Sequence, residues 1–118
     1  MLESNHSIIF VAEADGRIVG FIAGFGGKQN RIKHRIMVVI GILQAYSGQQ
    51  IGARLFTELE NWAISHDIHR MELTVMSHNE RAISLYNKMG FEMEGTRKHS
   101  LFVDGKYVDE YYLYKFLQ

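Results

Sequence analysis

At 118 residues the chain is long enough for one compact domain with a real hydrophobic core, and it has little stability in reserve. Apolar residues make up 47% and charged residues 22%, a globular balance that excludes a disordered chain. Lys and Arg total 13, Asp and Glu also 13, so no bulk field draws the protein to nucleic acid or to an anionic membrane. Any anion must be held by a local arrangement. The absence of cysteine excludes disulfides, thiolate metal sites and a cysteine nucleophile. Residues Met1 to Asn5 lack the charged and apolar regions of a signal peptide. The longest apolar run, from Ile36 through Ile40 to Leu43, is far below the ~20 residues that span a bilayer. A cytoplasmic protein is the expectation.

In chain order, Ser7 to Glu13 is rich in β-branched residues and reads as a strand. Asp15-Gly16 is a hairpin signal, answered by a second strand over Ile18 to Ala23. Gly24 to His34 is glycine-rich and basic and reads as a loop. Arg35 to Leu43 reads as a strand buried on both faces, because its apolar residues run without alternation. Ile51, Leu55, Leu59, Trp62 and Ala63 fall at helical spacing on a helix ending near His66. Met71 to Met76 is a short strand. Asn79 is the N-cap of a second helix with Ala82, Leu85, Tyr86 and Met89 on one face, and Gly90 stops it. Two further strands, Phe91 to Val103 and Tyr107 to Phe116, are joined by a second Asp-Gly turn at Asp104-Gly105. The order β-β-β-α-β-α-β-β predicts a single α+β domain over 1–118. Its sheet is mixed and mostly antiparallel, with one parallel pair made by the crossover between the third and fourth strands.

Chemistry first shows between the third strand and the first helix, in Gln44-Ala45-Tyr46-Ser47-Gly48-Gln49-Gln50-Ile51-Gly52-Ala53-Arg54. A strand running through glycines into a helix presents amides without internal partners, and the helix dipole adds partial positive charge. Such a terminus holds a phosphate or pyrophosphate without lysine. Gly52 permits close approach, and Arg54 could add a charge-assisted contact. On the glycines alone, a bare strand-to-helix turn without ligand is an equal reading. A Walker-type loop is excluded, since no Gly-Lys-Ser/Thr follows.

The second helix is more specific. Asn79-x-x-Ala82-x-x-Leu85-Tyr86-x-x-x-Gly90-Phe91 resembles the hallmark fourth helix of the GNAT superfamily of N-acetyltransferases. Glu94-Gly95 and Asp104-Gly105-Lys106-Tyr107-Val108-Asp109 are similar to that family's closing hairpin. The upstream turn is similar to its pyrophosphate loop, Gln/Arg-x-x-Gly-x-Gly/Ala, with Ile51-Gly52 in register. The likeness runs from about Ile9 to the C-terminus.

The resemblance implies acetyl-CoA as co-substrate and a primary amine as acceptor, either a small molecule or a protein N-terminus; no metal is expected, since His66 and His69 offer no third ligand. It implies that the pantetheine arm enters where the two parallel strands splay. Ile42 and Leu43 then offer backbone groups, and Ser47, Gly48, Gln49, Gln50, Ile51, Gly52, Ala53 and Arg54 surround the pyrophosphate. Asn79 contacts the coenzyme, and Tyr86 stands near the sulfur. A phenol suits that place, because a departing thiolate is stabilised by an O–H donor. The structural alternatives are a core aromatic for Tyr86 and an ordinary N-cap for Asn79.

Four departures from the family pattern matter. Ser47 stands where arginine or glutamine is usual, and Gln50 where glycine is usual. If position 50 needs a positive φ, a side chain there costs about 1–2 kcal/mol. The third strand carries no acid to serve as general base, which leaves Glu72, His34 and His78 as candidates. The family's opening strand and two helices, much of the acceptor wall, precede the point where the resemblance starts. Homodimerisation over the sheet so exposed is the expectation.

Two other clusters carry less. His66 and His69 lack a third metal ligand. Tyr107, Tyr111, Tyr112, Tyr114 and Phe116 read as half-buried strand residues, since no basic stripe accompanies them. The rivals to an acetyltransferase are a coenzyme-binding domain with weak or no turnover and a structural dimerisation module.

Overall fold

A computed structural model of the chain describes residues 7–27, 34–48 and 50–117. Met1 to Asn5, most of the expected loop before His34, and Gln49 lie outside them. The elements are β1 (Ile8–Ala14), β2 (Arg17–Gly26), β3 (Arg35–Ile42), α1 (Ile51–Ser65), β4 (Arg70–Met76), α2 (Glu80–Lys88), β5 (Glu92–Val103) and β6 (Lys106–Phe116). A 3₁₀ turn, Gln44–Tyr46, follows β3. The expected order is present, and the strands hydrogen-bond as one six-stranded sheet in the order β1-β2-β3-β4-β6-β5. The sheet is mixed, with one parallel pair, so the fold is α+β. No helix among the described residues is long and apolar enough to cross a membrane.

The chain divides into two compact units, Met1–Met71 with Phe116–Gln118, and Glu72–Lys115. In the first, β1, β2 and β3 form an antiparallel meander. Asp15 and Gly16 both take positive φ, 54° and 78°, the two-residue turn whose twist matches that of the strands it joins. Helix α1 lies on this meander. A methyl group on Gly24 would come within 2.9 Å of Ile36 Cδ1 and 3.2 Å of Leu59 Cδ1, so a glycine lets α1 approach β2 closely. Ile22, Ile36, Val38, Leu55, Phe56 and Leu59 fill the interface.

The strand β3 departs from expectation. It alternates instead of being buried throughout: Ile36 and Val38 face α1, whereas Met37 and Val39 are exposed. Their cross-strand partners on β2, Phe25 and Ala23, belong to the same face, which continues to Phe21, Ile9 and Val11. Apolar sequence alone cannot tell a strand covered on both faces from one covered on a single face. β2 also runs further than expected, taking in Gly24 to Gly26.

Helix α1 ends where the spacing predicts, for an identifiable reason. The Asp67 N–H donates to the Ile64 carbonyl at 3.1 Å, and the buried Ile68 donates to the Ala63 carbonyl at 2.9 Å. Asp67 supplies the left-handed residue with φ 61°. This is a Schellman terminus, with aspartate where glycine is commonest. The His66 ring stacks on Trp62 at 4.3 Å, and its Nδ1 lies 2.9 Å from the Trp62 carbonyl oxygen.

In the second unit, Asn79 caps α2 through its side-chain oxygen, which accepts from the Ala82 amide at 3.2 Å. Strands β5 and β6 form the closing hairpin, with Asp104 and Gly105 at φ 51° and 79°. Register breaks between Arg97 and Leu101, where Lys98, His99 and Ser100 bulge outward against β6. His99 takes φ 52°, and its N–H donates to the Asp109 carboxylate at 2.8 Å.

Candidate active site

The turn that leaves β3 is built mostly from backbone. The Leu43 N–H donates to the Val19 carbonyl at 2.9 Å, which ties the end of β3 to β2. The Tyr46 and Ser47 amides then close the 3₁₀ turn on Leu43 and Gln44, and the Ser47 hydroxyl donates to the Gln44 carbonyl at 2.8 Å. Gly48 has φ 81°, and a Cβ there would meet nothing within 4 Å. The space beside it is open.

Gln50 occupies the N-cap of α1 in the left-handed conformation, φ 66° and ψ 12°, and among the described residues no side chain caps the helix. Position 50 therefore does require the backbone that glycine adopts most readily, and the glutamine carries the strain. The first intrahelical bond runs from the Arg54 N–H to the Gln50 carbonyl at 3.1 Å. The amides of Ile51, Gly52 and Ala53 precede it and have no partner four residues back. They point out along the axis with the positive end of the helix dipole. Ile42, Leu43, Ser47, Gly48, Gln50, Ile51, Gly52, Ala53 and Arg54 are thus collected in one turn of the first unit. The Arg54 side chain is exposed. This geometry fits a pyrophosphate: a helix start presenting its first-turn amides, with open space beside Gly48.

Tyr86 lies on α2 in the second unit and is 7% exposed. Its position follows from the end of its own helix. Gly90 takes φ 94°, the Gly90 N–H donates to the Asn87 carbonyl at 3.1 Å, and the Phe91 N–H donates to the Tyr86 carbonyl at 3.0 Å. The Tyr86, Gly90 and Phe91 of the sequence motif are therefore three positions of one Schellman terminus. Burial pushes the Tyr86 phenol above its ordinary pKa of 10.0, so it is protonated at neutral pH. Asn79 stands at the opposite end of α2, about 10 Å away along the axis at 1.5 Å per residue. Asn79 and Tyr86 share a helix but do not share a point of contact.

Among the candidate bases, His34 and His78 are exposed, and Glu72 is half-buried on β4. The His66 and His69 rings belong to separate stacks, on Trp62 and on Phe116 respectively. Among the described residues no three His, Asp or Glu side chains come together as a metal site. Tyr111, Tyr112 and Tyr114 are half-buried on β6, and Tyr107 and Phe116 are exposed.

One relationship escaped the sequence. The Tyr46 hydroxyl donates to the Asp15 carboxylate at 3.0 Å, joining the turn to the tip of the first hairpin. The two residues are 31 apart in the chain, and no local pattern connects them.

The family model described as Acetyltransferase (GNAT) family matches residues 1–91. The chain belongs to this family. The chain is 34% identical over 107 residues to the L-amino acid N-acetyltransferase AaaT of Escherichia coli (strain K12), which covers 87% of the chain and 64% of AaaT. The GNAT chain thus spans less than two thirds of that relative's length. The crystal structure of the acetyltransferase of GNAT family from Streptococcus pneumoniae superposes with a TM-score of 0.93 at 29% identity, covering 98% of this chain and 70% of the other. The structure of yncA from Salmonella typhimurium, determined with its cofactor acetyl-CoA, has the same fold, with a TM-score of 0.88 at 18% identity and coverage of 97% and 66%.

Proposed function

We propose that the protein transfers an acetyl group from acetyl-CoA to a primary amine by direct attack. The observation that carries this reading is Tyr86, a buried phenol fixed by its helix terminus within the family's most specific motif. The amine nitrogen attacks the thioester carbonyl carbon, the C–S bond breaks, and the amine proton leaves to a base. Tyr86 gives its proton to the departing thiolate, and burial keeps the phenol protonated until then. The uncapped start of α1, with Gly48 and Gln50 at positive φ, takes the pyrophosphate.

The acceptor is a small-molecule amine or a protein N-terminus. AaaT, whose name gives an L-amino acid as substrate, supports an acceptor bearing an α-amine. Exposure of Ile9, Val11, Phe25, Met37 and Val39 on the open face of β1–β3 supports a homodimer. A monomer by light scattering at high concentration would remove that part of the reading.

Release of free thiol from acetyl-CoA across a panel of amino acids, polyamines and peptides tests the activity. Turnover with at least one amine, largely lost in Tyr86→Phe, is the expected result. The strain at Gln50 and the serine at position 47 favour one second reading, a domain that binds coenzyme without turning over. Calorimetric binding of acetyl-CoA with no thiol release for any amine would establish it.

A further inference from the structure

The coenzyme turn is short, and its shape is set by a few bonds among the described residues. Its 3₁₀ segment is closed by two backbone bonds and the Ser47 hydroxyl, two of its later residues take positive φ, and among the described residues no side chain caps the helix it enters. An anion site of aligned amides works only if those amides are already aimed before the ligand arrives. Contacts from outside the turn add to that aim.

We infer that Tyr46 and Asp15 are a positioning pair, through which the tip of the β1–β2 hairpin holds the pyrophosphate turn in its binding geometry. This rests on the function proposed above and adds two residues to its site. Tyr46 is the last residue of the 3₁₀ segment and stands two before Gly48. Its hydroxyl donates to Asp15 Oδ2 at 3.0 Å, and a carboxylate acceptor makes this a charge-assisted bond. Asp15 is a rigid anchor, because it and Gly16 form a tight turn with both φ values positive. The next residue, Arg17, sets its guanidinium 5.9 Å from the centre of the Tyr46 ring, so the same hairpin engages the ring as well as the hydroxyl.

The second support comes from the same strand pair. The Leu43 N–H, at the start of the turn, donates to the Val19 carbonyl on β2. The 3₁₀ segment is therefore tied at its entry by Val19 and at its exit by Asp15. Between these ties the chain has little room to rotate, and Gly48 is delivered where its open side can face a ligand.

The test uses Tyr46→Phe, Asp15→Gly and Asp15→Asn in the full chain, well below their melting temperatures, with acetyl-CoA titrated by calorimetry. Tyr46→Phe removes the donor, and Asp15→Gly removes the acceptor without straining the turn. Each is expected to weaken acetyl-CoA about three- to ten-fold, the usual range for one hydrogen bond. The KM for acetyl-CoA should rise in step, with kcat and the KM for the amine unchanged. Asp15→Asn keeps an acceptor oxygen and a residue suited to the turn but loses the charge assistance, so its affinity should fall between wild type and Asp15→Gly. The double variant Tyr46→Phe/Asp15→Gly should bind no more weakly than either single variant, since both remove one interaction. Wild-type affinity in the single variants, or losses that add in the double, overturns the pair while leaving coenzyme binding intact. A wild type that binds no acetyl-CoA overturns the functional reading, and the pair with it.

Discussion

The Phe91 N–H donates to the Tyr86 carbonyl oxygen at 3.0 Å, and the two rings lie 6.1 Å apart, tilted by 59°. The helix terminus that stops α2 is thus the same device that sets its tyrosine. It depends on Gly90 at φ 94°, over which the Lys115 side chain passes to donate to the Met89 carbonyl at 2.7 Å. Gly90→Ala is expected to destabilise the protein by about 1–2 kcal/mol through backbone strain alone. The new methyl would also lie 3.3 Å from Lys115 Cε. Urea denaturation measures this, and a change under about 0.5 kcal/mol would contradict the account.

Tyr86→Phe should lower kcat by about 100-fold or more, the lower end of a general acid's contribution, with acetyl-CoA affinity unchanged. The same variant has a signature at high pH. Because the folded-state pKa lies above 10.0, burial favours the protonated phenol. That stability is fully present below about pH 10 and is lost as pH rises through the folded-state value. Wild type should therefore lose stability above about pH 10 more steeply than Tyr86→Phe, as read from melting temperatures of both. Parallel curves would show that the phenol is not held in its neutral form.

Gln50→Gly relieves a left-handed residue that carries a side chain, φ 66°. Relief of about 1–2 kcal/mol is partly offset by the greater freedom of glycine in the unfolded chain. A net gain of about 0.5–1 kcal/mol is expected, together with acetyl-CoA affinity equal to or tighter than wild type. Weaker binding would mean that the glutamine side chain itself contacts the coenzyme.

Asn79 can be a cap, a coenzyme contact or both, and two substitutions separate the roles. Asn79→Ala removes the bond to the Ala82 amide and should cost about 1 kcal/mol of stability. Asn79→Asp keeps the cap and its stability but places a negative charge where the coenzyme contact is proposed. A lowered acetyl-CoA affinity in Asn79→Asp, with an unshifted melting temperature, supports the contact. Unchanged affinity leaves Asn79 as a cap alone.

The order of elements was legible because each boundary is marked by a local conformational demand. Asp15-Gly16 and Asp104-Gly105 mark the hairpins, Asn79 the start of α2 and Gly90 its end. Burial was less legible. Phe56 is completely buried yet stood outside the apolar stripe read from the sequence, and Met37 and Val39 are exposed although they were read as core. The bulge at His99 was not legible, since the aspartate that holds its amide lies on another strand, ten residues away.

By itself the sequence determined the family, the α+β class, and the candidates Gly48 to Arg54, Asn79 and Tyr86. Turn, cap and motif residues act within a few positions of themselves, and such short-range rules can be read along a chain. Only the tertiary structure decided that Gln50 is strained, that one face of β1–β3 is open, and that Tyr46 reaches Asp15 from 31 residues away. Those facts depend on which strands pair and in what register, and pairing brings together residues whose separation no local pattern encodes.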